Sequence, residues 1–112
     1  MIALLDPTPL PEALWDQLYR YVNAGGRLAI TATTLSGNNA NGTNGAGGGI
    51  LSLGGGLTLD NSTVSGNTAN SDGGGVVSNG EFIAANATIV GNRSDADGAG
   101  GGSGGGLFNG GL

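Results

Sequence analysis

The chain has 112 residues, of which 26 are glycine, with 38% apolar and 10% charged. Ordinary soluble domains carry about 25% charged residues and a larger apolar share, so this composition orders only if it carries a period. Three arginines face eight acids for a formal net charge of −5, and there is no histidine and no cysteine. That excludes disulfides, thiolate or imidazole zinc sites and every triad built on an imidazole base, and it disfavours binding to nucleic-acid phosphates or anionic lipid.

In chain order, residues 2–5 read as a short strand and residues 6–11, with Pro7, Pro9 and Pro11, as a turn. The longest apolar run, residues 2–5, is far short of the roughly 20 residues a membrane helix needs, so no direct membrane insertion is expected. The early prolines and Asp6 interrupt the N-terminus before a signal-peptide core can form, so no signal peptide is expected. Residues 12–23 read as a helix with Pro11 near its first turn, and Leu14, Trp15, Leu18, Tyr19 and Val22 fall on one face. Gly25 and Gly26 end it. Residues 1–26 thus form a strand and an amphipathic helix that caps the remainder of the chain, and residues 2–5 are placed to pair parallel with residues 28–30.

Residues 27–112 carry a repeat. Three blocks of eleven residues align without a gap: 28–38, 57–67 and 82–92. Each runs through period-two apolar positions (Leu28 and Ile30, Leu57 and Leu59), then a second apolar position (Leu35, Val64, Ile89), then Gly-Asn (Gly37-Asn38, Gly66-Asn67, Gly91-Asn92). A polar loop of variable length and a glycine triad follow, leading into Ile50-Leu51, Val76-Val77 and Leu107-Phe108. Alternation at period two selects strands, and confinement of length variation to loops is the habit of repeat architectures.

Three short strands per repeat of about 25 residues are what a right-handed parallel β-helix requires, each strand pairing with its equivalent about 4.8 Å along the axis. The expected fold is therefore an all-β solenoid, a right-handed parallel β-helix of about three coils with an N-terminal strand-helix cap. Leu35, Val64 and Ile89 are expected to stack inward, as are Ile50, Val76 and Leu107. Gly37, Gly66 and Gly91 are placed where positive φ is needed, and Asn38, Asn67 and Asn92 are expected to form a ladder at that bend. Thr34, Thr63 and Thr88 form a similar file.

The blocks at residues 57–67 and 73–77 resemble the repeats of polymorphic outer-membrane protein and autotransporter-adhesin passengers, with their paired Gly-Gly-apolar and apolar-x-x-Asn motifs. The resemblance covers residues 27–112. It implies bacterial, extracellular or cell-surface display and an adhesive or structural role. Residues 21–30 also resemble a helix-to-strand junction of glutamine-amidotransferase-like α/β domains. That match contains no catalytic nucleophile, so it implies a fused or truncated domain without its activity.

The catalytic alternative is a fragment of a carbohydrate-active, pectate-lyase-like β-helix, which groups carboxylates and a basic residue in one groove. The candidates are Asp60, Asp72, Asp95, Asp97 and Arg93. Three of the acids lie in variable loops, and Asp60 has no acidic counterpart at Thr31 or Ala85, so no catalytic residue, metal site or cofactor is expected and the chain reads as a non-enzyme. Asp95-Ala96-Asp97-Gly98 opens like a calcium loop, but Gly106 stands where the closing acid belongs. Gly100, Gly102 and Gly105 match a dinucleotide fingerprint only by composition, without the strand-to-helix context. Sequons at Asn41, Asn61, Asn86 and Asn92 read as by-products of the Asn and Thr files, and Thr31-Ala32-Thr33 resembles an ice-binding threonine array that the other blocks do not repeat. The expected partners are a glycan or protein on the solenoid surface and, end to end, a second copy.

Overall fold

A computed structural model of the chain describes residues 2–4, 20 and 24–111. Among the described residues twelve strands follow one another: β1 (Ile2–Leu4), β2 (Arg27–Thr31), β3 (Thr34–Ser36), β4 (Asn39–Ala40), β5 (Ile50–Ser52), β6 (Gly56–Asp60), β7 (Thr63–Ser65), β8 (Thr68–Ala69), β9 (Val76–Ser78), β10 (Glu81–Ala85), β11 (Thr88–Val90) and β12 (Leu107–Asn109). Every strand pairing is parallel. The described chain is all-β. The helix expected over residues 12–23 lies outside the described residues except for Arg20, whose carbonyl accepts from the Ala24 N–H at 3.0 Å.

The chain makes three similar passes, and like pairs with like. The first sheet runs β1-β2-β6-β10, the second β3-β7-β11, the third β5-β9-β12, and β4 pairs with β8. Register follows the block alignment residue for residue: Leu28, Leu57 and Phe82 align, as do Leu35, Val64 and Ile89, and Ile50, Val76 and Leu107. The first strand pairs as expected, with Ile2 opposite Leu28 and Leu4 opposite Ile30. Such registers demand the same residue class at the same depth in each pass, because a one-residue slip turns every apolar side chain to the other face.

Alternation sends one set of these columns into a common core of Ile30, Ile50, Leu57, Leu59, Val64 and Val76, with Leu28, Leu35, Phe82, Ala87 and Ile89 packed against it. The middle pass lies between two others, so Leu57, Leu59, Val64 and Val76 are fully buried. Leu107 departs from the expected inward burial. It keeps register with Val76 yet remains 37% exposed, because β12 ends its sheet and nothing covers it among the described residues. Among the described residues no helix is long and apolar enough to cross a membrane.

Candidate binding surface

The bends set which faces are available. After β2, β6 and β10 the backbone turns through a left-handed residue, Ala32 (φ 50°), Asn61 (φ 49°) or Asn86 (φ 49°). Ser62 fills the inside of the middle bend, where its Oγ accepts from the Thr33 N–H at 3.1 Å and lies 2.9 Å from the Asp60 carbonyl. Sequence reasoning missed this bend. Asparagine in two of the three passes was the signal, since Asn is enriched at positive φ, and Ala32 concealed it.

The second bend is the one expected. Gly37, Gly66 and Gly91 all have positive φ, and the asparagines after them form a continuous file. Asn38 N–H donates to Asn67 Oδ1 at 2.9 Å, and Asn67 N–H donates to Asn92 Oδ1 at 2.9 Å. Asn67 Nδ2 reaches back to the Leu35 carbonyl at 3.0 Å, and Asn92 Nδ2 to the Val64 carbonyl at 2.9 Å. Each amide thus satisfies main-chain groups at a corner that the strand ladder does not reach. Among the described residues no buried side-chain nitrogen or oxygen lacks a partner.

Three outward faces result. On the first sheet, Arg27, Gly56 and Glu81 share one register position, as do Ala29, Thr58 and Ile83, and Thr31, Asp60 and Ala85. Arg27 pairs with Glu81 across Gly56. The second sheet presents the Thr34, Thr63 and Thr88 file. The third presents an apolar column that the sequence reading did not single out: Leu51, Val77 and Phe108. Leu51 is 49% exposed and the neighbouring Leu53 60%, whereas Val77 between its column partners is buried. The runs Ile50-Leu51 and Val76-Val77 are apolar on both faces, so periodicity alone does not mark the outward member.

The structure does not gather the acids. Asp60 lies on the outer face of the first sheet, while Asp72, Asp95 and Asp97 occupy loops and spend an oxygen on nearby backbone: Asp72 on Ser103 N–H (2.8 Å), Asp95 on Gly100 N–H (2.8 Å) and Asp97 on Ala99 N–H (3.2 Å). Arg93 is exposed and bridges to Thr68 through its backbone. Among the described residues no three acids stand together as a metal site. Gly106 lies beside Ile89, at the start of β12. Of the sequon asparagines, Asn41, Asn61 and Asn86 are exposed and Asn92 is engaged in the file. Thr31 and Thr33 do not form a flat array, because Ala32 bends the chain between them and Thr33 Oγ1 donates to the Thr31 carbonyl at 2.8 Å.

Comparison with family models, with curated proteins and with solved structures finds no match to this chain.

Proposed function

We propose that the chain is a right-handed parallel β-helix segment with a non-enzymatic, structural or adhesive role in a bacterial surface or secreted protein. The observation that carries the reading is the in-register stacking of equivalent residues on the three larger sheets, continued through the bend by the asparagine file. Right-handedness follows the strong preference of parallel crossover connections. A surface built this way is a rigid ruler of repeated side chains, suited to holding a glycan or protein along its length. The apolar column of Leu51 and Phe108 is the contact area favoured for a protein ligand, since exposed apolar patches rimmed by polar residues mark such sites.

The test is a binding screen of the immobilised chain against polysaccharides and host-surface proteins, run beside Leu51→Arg. Binding that Leu51→Arg removes without shifting the melting temperature supports the reading. Cleavage of polygalacturonate, with or without calcium, that is abolished by Asp60→Ala overturns it in favour of a lyase fragment.

Among the described residues, β10, β11 and β12 leave one edge of every three-stranded or longer sheet unpaired on the same side of the stack. Such edges invite another strand, and a second copy is the proposed occupant. Sedimentation that grows with concentration, and is abolished by Ala84→Lys on β10, supports this. A monomer at all concentrations overturns it.

A further inference from the structure

Four exposed asparagines precede a glycine: Asn41, Asn44, Asn79 and Asn109. Each such step allows the glycine nitrogen to attack the asparagine side-chain carbonyl, provided the nitrogen is free and the backbone can rotate. The structure restrains three of them. Gly45 N–H is held by the Gly42 carbonyl at 2.9 Å, and the Gly45 carbonyl accepts from Ser71 N–H at 2.7 Å. Gly110 N–H is held by the Ser78 carbonyl at 3.0 Å. Asn79 donates its N–H to the Ser52 carbonyl at 2.9 Å, and Gly80 packs against the Gly55 backbone so closely that a Cβ has no room.

Asn41 differs. It follows β4 directly, and although its carbonyl and that of Gly42 accept hydrogen bonds, both residues are exposed, no acceptor holds the attacking Gly42 N–H among the described residues, and the nearest atom to a Cβ placed on Gly42 is 4.0 Å away. We infer that Asn41-Gly42 is a site of spontaneous succinimide formation that converts Asn41 to aspartate and isoaspartate. The Gly42 nitrogen loses its proton and bonds to Asn41 Cγ, and the side-chain amide leaves as ammonia. Water then adds to either ring carbonyl and breaks that carbon's bond to the Gly42 nitrogen, giving aspartate or isoaspartate with no oxidant or cofactor.

The isoaspartate product also fits the position. The Asn41 main-chain carbonyl accepts from Asn70 Nδ2 at 3.0 Å across to the next pass. In isoaspartate that oxygen becomes part of a carboxylate, and a hydrogen bond to an ionised acceptor is the stronger one. The chain gains one negative charge on top of a formal −5, and the main chain gains a methylene beside β4.

The test is incubation of the native full-length chain at neutral and at mildly alkaline pH, followed by peptide mapping by mass spectrometry and isoaspartate methylation. A urea-unfolded sample serves as control. The expected result is conversion at Asn41 several-fold ahead of Asn44, Asn79 and Asn109 in the native chain, faster at the higher pH, with all four steps converting comparably in urea. Gly42→Ala, which finds open space for its methyl group, is expected to suppress conversion while leaving the circular dichroism spectrum unchanged. Conversion of any other step first in the native chain, or an Asn41 that stays intact while the urea control reacts, overturns the inference.

Discussion

Arg27 and Glu81 pair directly although a whole pass of the chain lies between them, because the residue at their shared register position in that pass is Gly56. The missing side chain opens a gap through which the guanidinium reaches the carboxylate. Both partners are partly solvated, at 34% and 57% exposure, so the pair contributes under about 1 kcal/mol. Glu81→Gln is expected to lower stability by no more than that, with the effect vanishing in high salt. Gly56→Ala places a Cβ 2.9 Å from Arg27 Cζ and pushes the flexible head group aside. A double-mutant cycle on these two substitutions, read by urea denaturation, is expected to be non-additive, since either one alone breaks the pair.

The asparagine file predicts a graded series. Asn67 is fully buried and Asn38 is exposed. Asn67→Ala orphans the Leu35 carbonyl and the Asn38 N–H, each at a cost of about 1–3 kcal/mol where water cannot replace the partner. Asn92→Ala orphans the Val64 carbonyl and the Asn67 N–H, and Asn38→Ala removes only the Nδ2 donor to Asn67 Oδ1 at the rim while the Asn38 N–H stays bonded. Denaturant midpoints are expected to fall most for Asn67→Ala and Asn92→Ala and least for Asn38→Ala.

Ala32 is the one residue of its file ill suited to its backbone. Its φ of 50° matches those of Asn61 and Asn86, and a left-handed conformation costs an ordinary L-residue about 1–2 kcal/mol. Ala32→Asn is expected to stabilise the protein by about 1 kcal/mol and Asn61→Ala to destabilise it by a similar amount. Urea midpoints shifting in opposite directions at constant slope check both.

Two glycine positions separate strain from crowding. Gly37 needs its positive φ but has nothing within 4 Å of a Cβ, so Gly37→Ala pays the conformational cost alone. At Gly48 a Cβ runs into the Gly74 and Thr68 carbonyls, which are backbone and cannot swing away. Gly48→Ala is expected to cost more than Gly37→Ala, because a clash with fixed backbone lies at or above the roughly 1–3 kcal/mol of an overpacked site, against about 1–2 kcal/mol for the left-handed strain alone. Thermal melts of the two variants in parallel decide it.

What the sequence announced was register. Leu35, Val64 and Ile89, and the Gly-Asn pairs after them, repeat the same chemistry because each faces its own equivalent in the neighbouring pass. Burial was less legible. Leu107 and Val76 are alike in sequence position and differ in exposure because only Val76 is covered on both sides. The two-residue strands β4 and β8 were invisible, since two residues define no period. The outward column of Leu51, Val77 and Phe108 hid inside runs that are apolar on both faces. Asp60 ends β6, whereas Asp72, Asp95 and Asp97 lie in loops whose lengths differ from pass to pass, so no period links the four acids.

The asparagine file joins residues 29 and then 25 positions apart. The entropy of closing a loop changes little between two such lengths, so each pass docks at nearly the same expense, with the preceding pass as its template. Assembly is therefore expected to advance along the chain like a zip once the first closure is made, and a mechanical pull on the C-terminal end is expected to strip one pass at a time, recording a sawtooth of evenly matched force peaks.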